Sequence, residues 1–372
     1  MKKTVFIKRI AALRQRLLQM DPDTAWIIQP ENRQYFSGFK AEDMLFTESS
    51  GSLLINETQC LLLTDSRYVS EAERDAVNFE VRILNQGLVE GLPELIKRRK
   101  ICNLGFEADY LAWGLHRQLT DKLKKFSPPI GLLPLDDSAK KMREVKDSFE
   151  IKALENSADL ISRLMDEIVT FLEPGLTEKD VAWRIENLAH EAGAEGLAFP
   201  SIVASGPNSA LPHAVPTDRK LEKNEPVIVD MGVRLDGYCS DITRTIFLEK
   251  AKPELEKIYG IVRKAQLEAM SEIRPGVSSD FPDSIARRII SDAGYGKYFG
   301  HALGHGVGLA VHEGPRLRKS NPTKLKKGMV VTVEPGIYLP GVGGVRLEEM
   351  VVIEEDGLRI LTKNSDFYDF LF

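Results

Sequence analysis

The sequence is poor in the features that would make several functional classes easy to assign. Cysteine is nearly missing: Cys60, Cys102 and Cys239 stand far apart in 372 residues. They offer no disulfide framework and no thiolate zinc site, and they suit a reducing, cytoplasmic compartment. A basic excess is missing too. Lys and Arg number 50 against 55 Asp and Glu, a net charge of −5, which disfavours nucleic-acid binding by counterion release and a membrane-surface role. No apolar run approaches the roughly 18 residues of a bilayer span. The start, Met1 to Arg9, resembles an export signal, but its apolar stretch stops at Lys8-Arg9 and is too short to direct export. With 43% hydrophobic and 28% charged residues, the chain reads as globular, and its length predicts two domains at roughly 150 residues each.

The first part reads as a small α/β unit. Ile10, Leu13, Leu17 and Met20 recur at helical spacing and predict an amphipathic helix over 7–20. Short apolar runs at Ala25–Ile28, Ser52–Ile55 and Cys60–Leu63 predict strands of a mixed sheet, covered by helices near Ser70–Asp75, Pro93–Arg98 and Leu111–Lys124. Pro93 is expected in the first turn of its helix. Trp26, Trp113 and Trp183 fall on core-like patterns. Ser127-Pro128-Pro129 and the turn Asp136-Asp137-Ser138 deny both helix and buried strand. The expected organisation is therefore an N-terminal domain over 1–135, a linker over 136–145 and a second domain over 146–372.

The second domain contains an internal echo. Leu172-Glu173-Pro174-Gly175-Leu176-Thr177 aligns with Ile273-Arg274-Pro275-Gly276-Val277-Ser278, and Ala192-Gly193 with Ala293-Gly294, at a constant offset of 101 residues. Val229-Asp230-Met231-Gly232 aligns with Val333-Glu334-Pro335-Gly336 at 104. Each half reads as a long helix, a Pro-Gly turn, a helix capped by Thr177 or Ser278, and then strands. Chance punctuation explains one such match more easily than three in register. The reading is a pseudo-symmetric α/β domain.

Asp230 sits inside an apolar, β-branched strand, Val227 to Gly232, where an unpaired charge costs on the order of several kcal/mol. Asp236-Gly237 supplies hairpin chemistry, and the returning strand carries Asp241, expected roughly opposite Asp230. The second half repeats the device with Glu334 and, on the return, Glu348. If the hairpins lie side by side, four carboxylates share one place, and repulsion protonates some of them unless cations intervene. Two divalent ions neutralise the four charges. A glycosidase acid and base pair is the alternative use of such carboxylates, and it requires a sugar cleft lined with aromatics.

Histidine is scarce and clustered: of six, His301, His305 and His312 fall within twelve residues just before the second hairpin, and His213 lies before the first. Gly304-His305-Gly306 offers an imidazole where glycines permit close backbone approach. Oxygen donors with one imidazole suit Mn, Co, Fe or Zn. His116 and His190 sit among charged residues on helical patterns and read as surface or packing residues.

Asn208 to His213, Val229 to Gly232, Gly237 to Thr245, Gly304 to Leu309 with Val311-His312-Glu313, Val333 to Gly336 and Val345 to Glu348 resemble, in order, the motifs of the pita-bread metallopeptidases. These are the group of methionine aminopeptidase, aminopeptidase P and prolidase. Asn32 to Phe39 and Thr64 to Tyr68 resemble the N-terminal domain of the creatinase and prolidase branch, which points to proline specificity. The resemblance implies an α/β chain with a creatinase-type N-terminal domain and a pita-bread domain. It implies that Asp230, Asp241, His305, Glu334 and Glu348 hold two divalent metal ions, with manganese favoured. Asp241 and Glu348 would bridge them. It further implies that Glu334 moves protons, that His213 and His312 meet the substrate at the scissile bond, and that His301 and Arg346 form or brace the pocket beyond.

Arg346, two residues from Glu348, faces the same side and pairs either with a ligand carboxylate or with a substrate carboxylate. Glu349 stands where many relatives have Asp, a change expected to act around the ligands and not to remove metal. The implied activity is hydrolysis of the bond preceding proline in Xaa-Pro dipeptides or at the N-terminus of Xaa-Pro peptides, by a cytoplasmic homodimer. The alternatives are an aminopeptidase of other specificity and a non-catalytic peptide or protein binder of the same fold, whose known examples have lost ligands that this chain keeps.

Overall fold

The computed structural model describes residues 2–41, 49–320 and 322–363. The chain divides into two compact units, Met1–Met142 and Arg143–Phe372. Among the described residues no helix is long and apolar enough to cross a membrane.

In the first unit a six-stranded mixed sheet runs, edge to edge, through Glu80–Ile83, Cys60–Thr64, Ser52–Asn56, Thr24–Ile27, Asn103–Phe106 and Gly131–Pro134. Trp26, Leu54, Leu61, Leu63 and Leu104 meet helix residues Leu92, Ile96, Leu119 and Leu123 in one core. The first helix occupies Lys2–Leu17 and buries Ile10, Leu13 and Leu17. The helix expected from Pro93 begins six residues earlier, at Gly87. Pro93 is therefore an interior residue that lacks an N–H for the ladder, not a first-turn proline. The stretch 136–145 holds a helix, Ser138–Glu144, opened by Ser138 N donating to Asp136 Oδ1 at 2.8 Å.

Only one of the three tryptophans is buried. Trp26 is, whereas Trp113 and Trp183 are 74% and 68% exposed. The helix Glu178–Glu191 buries Val181, Ile185, Leu188 and Ala189. Trp183 lies two residues from both Val181 and Ile185, on the far side of a 3.6-residue period.

The second unit begins with the long helix Ser148–Phe171, for which Asp147 and Glu150 form a capping box. Two hydrophobic cores follow. Ile161, Met165, Val181, Ile185, Val203 and Val229 centre the first; Ile258, Val262, Ala286, Ile290, Val331 and Val351 centre the second. Each has its own sheet, with Pro226–Met231 central in one and Val330–Val333 central in the other.

The duplication extends to individual backbone bonds. Gly175 N donates to Leu221 O at 3.0 Å, and Gly276 N to Leu325 O at 2.8 Å. The bridge Thr177↔Lys220 has its mate in Ser278↔Lys324. This is the pita-bread arrangement. Capping breaks the symmetry: Thr177 caps Glu178–Glu191 with its side chain, while the second helix, Asp280–Asp292, starts after Ser279 and receives no side-chain cap from it. Ser278, expected as that cap, stands one residue too early.

Candidate metal centre

Asp236 and Gly237 both have positive φ, 52° and 84°, the requirement of a two-residue hairpin turn of type I′. That turn sets the register, pairing Leu235 with Tyr238 and, further back, Asp230 with Thr243. Asp241 is thus two residues from the position opposite Asp230. It shares the same face, diagonally placed, because side chains alternate. In the second hairpin Val333 pairs with Glu349 and Gly336 with Arg346, so one register continues through the interruption and Glu334 faces Glu348 directly. The hairpins lie side by side: Glu348 N donates to Thr243 O at 3.1 Å, and Arg346 N to Thr245 Oγ1 at 3.1 Å.

The acids converge. Asp241, His305 and Glu348 are buried and offer ligand atoms all within 4.8 Å of one another. Glu334 joins through Oε1, 3.3 Å from His305 Nε2, and Asp241 Oδ2 lies 3.6 Å from the same nitrogen. Asp230 is ion-paired through its Oδ2 with Arg346 Nη2, and its buried Oδ1 has no hydrogen-bond partner.

The electrostatics follow from this crowding. Burial, then repulsion from Glu348, Asp230 and Glu334, pushes the Asp241 carboxyl well above its ordinary value. Glu348 is raised for the same reasons, burial first, then Glu334 and Asp230. Burial lifts Glu334 to about 7, with Arg346 opposing and Asp230 adding. Burial drives His305 down to about 3, with His312 contributing, so its ring is neutral. Its Nδ1 lies 3.1 Å from Gly306 O, and a carbonyl only accepts. Nδ1 therefore carries the proton, and the Nε2 lone pair points at carboxylate oxygens.

Lone pair against carboxylate, with an orphaned carboxylate oxygen beside them, is an arrangement that a hard or borderline dication satisfies. The donor set fits such an ion. Gly304 and Gly306 allow the close backbone approach expected of them, and what approaches is a neighbouring strand. A Cβ at either would collide with a neighbouring strand, at Thr332 O or Gly314 O, so the glycines permit close strand packing around His305.

A cleft of roughly 500 Å³ opens over these groups, lined by His213, His301, His312 and Arg346 together with the apolar Phe199, Pro200 and Val215. His213 and His312 reach it from exposed positions, and the His312 ring meets the His305 ring edge-on, with centroids 4.3 Å apart. His301 is held by Tyr338 OH at 2.9 Å from Nε2 and by Ala302 O at 2.8 Å from Nδ1. Burial lowers its pKa to about 4, so Nδ1–H donates to the carbonyl and Nε2 accepts from Tyr338. Arg346 Nη1 donates to Tyr338 OH at 3.1 Å and to Pro212 O at 2.9 Å. Arg346 therefore pairs with a carboxylate of the cluster while lining the cleft.

Several contributors carry no mark in the sequence. Thr243 donates to Glu348 Oε2 at 2.8 Å, Thr332 to Glu334 Oε1 at 3.2 Å, and Arg316 adds a cation to the cleft. Thr243 alone was accessible from pattern, as the residue that the Asp-Gly turn places opposite Asp230. Glu349 accepts from Arg244 Nη2 at 3.0 Å and from Thr362 Oγ1, outside the cluster itself.

A duplicated α/β unit that presses acids and an imidazole into one cleft defines a metal-dependent hydrolase, and comparison with known proteins makes the class specific. The chain belongs to metallopeptidase family M24, whose model matches residues 152–355, and residues 9–145 match the creatinase/prolidase N-terminal domain. The Xaa-Pro dipeptidase of Pyrococcus furiosus is 36% identical over 345 residues, covering 92% of this chain and 94% of that protein. The solved structure of an Xaa-Pro dipeptidase from Bacillus anthracis has a TM-score of 0.90 at 34% identity, covering 97% of this chain and 98% of that one. An X-Pro aminopeptidase from Thermotoga maritima gives 0.83 at 37%, covering 94% and 97%. The protein is a metallopeptidase with a divalent-metal cofactor.

Proposed function

We propose that this metallopeptidase hydrolyses the peptide bond preceding proline, in Xaa-Pro dipeptides or at the N-terminus of Xaa-Pro peptides. Asp230, Asp241, His305, Glu334 and Glu348 would hold a pair of divalent cations, manganese first among Mn, Co, Zn and Fe. The observation that carries this reading is the meeting of Asp241, Glu348 and the lone pair of neutral His305 within 4.8 Å. Bound cations would supply Lewis acidity toward the scissile carbonyl and make water more acidic near neutral pH.

The chain's own residues do the rest. A bond to proline lacks an N–H, so recognition cannot rest on that donor and falls to the cleft walls and to groups around the carbonyl. Burial, then Arg316 and His213, lowers the pKa of His312, which keeps its ring neutral with one N–H to donate to the developing oxyanion. Such a donor is worth about 3 kcal/mol. Glu334 takes the proton of the attacking water on its carboxylate and delivers it to the departing proline nitrogen. His213 contacts the substrate from the cleft wall, and His301 and Arg346 brace the pocket through Tyr338. Arg316 adds positive charge to the cleft, which favours a substrate whose carboxylate lies close to the scissile bond, as in a dipeptide.

Hydrolysis of Ala-Pro and Ala-Pro-Ala by manganese-loaded protein tests the reading. Cleavage of the dipeptide alone marks a dipeptidase, and cleavage of both marks an Xaa-Pro aminopeptidase. Cleavage of neither, or equal cleavage of Ala-Ala, overturns proline specificity.

A further inference from the structure

The loop that carries His213 leaves the strand Ile202–Ser205 and runs to Thr217, and one buried carboxylate closes its base. Glu178, first residue of the helix Glu178–Glu191, is fully buried. Its Oε1 accepts from Ser205 N at 2.7 Å, Ser205 Oγ at 2.9 Å and Asn208 Nδ2 at 3.1 Å. Its Oε2 accepts from Thr217 N at 3.0 Å, Thr217 Oγ1 at 2.7 Å and Asn208 Nδ2 at 3.2 Å. Ser205 and Thr217 are the two ends of the loop. Its far side is tied to the second hairpin, where Gly344 N donates to Ser209 Oγ at 2.8 Å and Arg346 Nη1 to Pro212 O at 2.9 Å.

The duplication supplies an internal control. At the offset of 101, the mate of Glu178 is Ser279. There the shared backbone contact is reproduced without a carboxylate: Glu178 N donates to Arg219 O at 3.0 Å, and Ser279 N to Thr323 O at 2.9 Å. The fold therefore does not require an acid at this point of the repeat. The second half places His312 on the corresponding segment, after the strand Gly304–Gly306, without an acid at 279, whereas the first half ties the loop with His213 to Glu178. A buried carboxylate is costly unless its acceptor sites are filled, and here the loop's own donors fill them.

We propose that Glu178 is a positioning residue for the peptidase: by pinning both ends of segment 206–216 it fixes His213 at the lip of the cleft. The inference rests on the reading above, in which His213 contacts the substrate. Gln at 178 keeps the volume but turns an NH₂ toward backbone N–H donors that cannot reverse. Misplacing a contacting group by a fraction of an ångström to an ångström costs up to about a hundredfold in rate.

The experiment is a double-mutant cycle on manganese-loaded protein with Ala-Pro, joined to hydrogen–deuterium exchange. Glu178→Gln should lower kcat/KM about tenfold or more with metal content unchanged, and should speed exchange in 206–217 while the strands bearing the acids stay protected. In a His213→Ala background the same change should cost less than about twofold, because its effect passes through His213. Additive losses, or unaltered exchange in 206–217, overturn the proposal. Should Glu178→Gln not fold, Thr217→Val removes one donor and should show the same non-additivity with about a threefold loss. If His213→Ala hydrolyses Ala-Pro at the parental rate, the role of His213 falls, and this inference with it, while proline specificity stands. If the parent protein does not cleave Ala-Pro, the proposed function falls, and unaltered exchange in 206–217 of Glu178→Gln would independently overturn the pinning.

Discussion

Glu313 and the acids of the cleft, all with side chains shielded from solvent, have opposite electrostatic fates. Glu313, next to His312, is met by Arg143 Nη2 and, at 2.8 Å, by Lys146 Nζ. Burial would raise its pKa, but the two cations outweigh burial and hold the carboxyl below its ordinary value. In the cleft, Asp241 and Glu348 are just as buried and are pushed up. The protein supplies the counter-charges at Glu313 from its own side chains. At the cluster the described residues supply one ion-paired cation, Arg346, with Arg316 adding a smaller pull on Glu334, against four acids. The contrast teaches that the cleft acids are arranged for cations from outside the chain, not for internal salt bridges.

The largest expected effect breaks the cluster. Glu334→Gln should bind metal poorly and lose at least about a thousandfold in turnover, read by metal analysis and by Ala-Pro hydrolysis. Near-normal hydrolysis would refute its proton role. Glu313→Gln should instead leave Arg143 and Lys146 buried without their acid and cost about 3–5 kcal/mol of unfolding free energy, read by denaturant titration of the metal-loaded protein. His312→Ala should lower the rate by about a hundredfold with metal retained. Loss of metal in that variant would mean that His312 is a ligand.

A pH series separates the two groups by sign. Glu313, with a depressed folded pKa, contributes stability that is present above its unfolded value near 4.5 and is lost as pH falls through the folded value. Glu334, raised to about 7, contributes the reverse. Protein stripped by EDTA should lose stability as pH rises from about 4.5 to 7, because the unfolded carboxyl ionises first. Manganese should restore that stability, and more at pH 7 than at pH 5. Equal stabilisation at both values would contradict the assignment.

The smallest effect compares the repeats. Thr177→Ala should cost about 1 kcal/mol, and Ser278→Ala less than about 0.5, read from unfolding midpoints.

Much of this was legible in the sequence where one residue contradicts its surroundings. Asp230 in an apolar strand and Glu334 in its echo could be identified because burial forbids an unpaired acid. The duplication was legible because Pro-Gly and Ala-Gly punctuation repeats in register. Asp241 was misplaced by two positions, although the two-residue turn at Asp236-Gly237 determines its register. Trp183 lies outside the core that its hydrophobicity suggests, because its angle from Val181 and Ile185 on the helix points it outward. Tyr338 and Glu178 were invisible, and Thr243 was visible only as the residue that the turn sets opposite Asp230. Each matters through partners about 40 to 100 residues away, such as Glu348 for Thr243 and Thr217 for Glu178, and no local pattern encodes such a meeting.

Metal content tests the central claim most directly. Purified protein incubated with manganese and dialysed should retain about two equivalents of the ion and lose them in Glu348→Gln or Asp241→Asn. Protein that retains none, after manganese or cobalt, would contradict it.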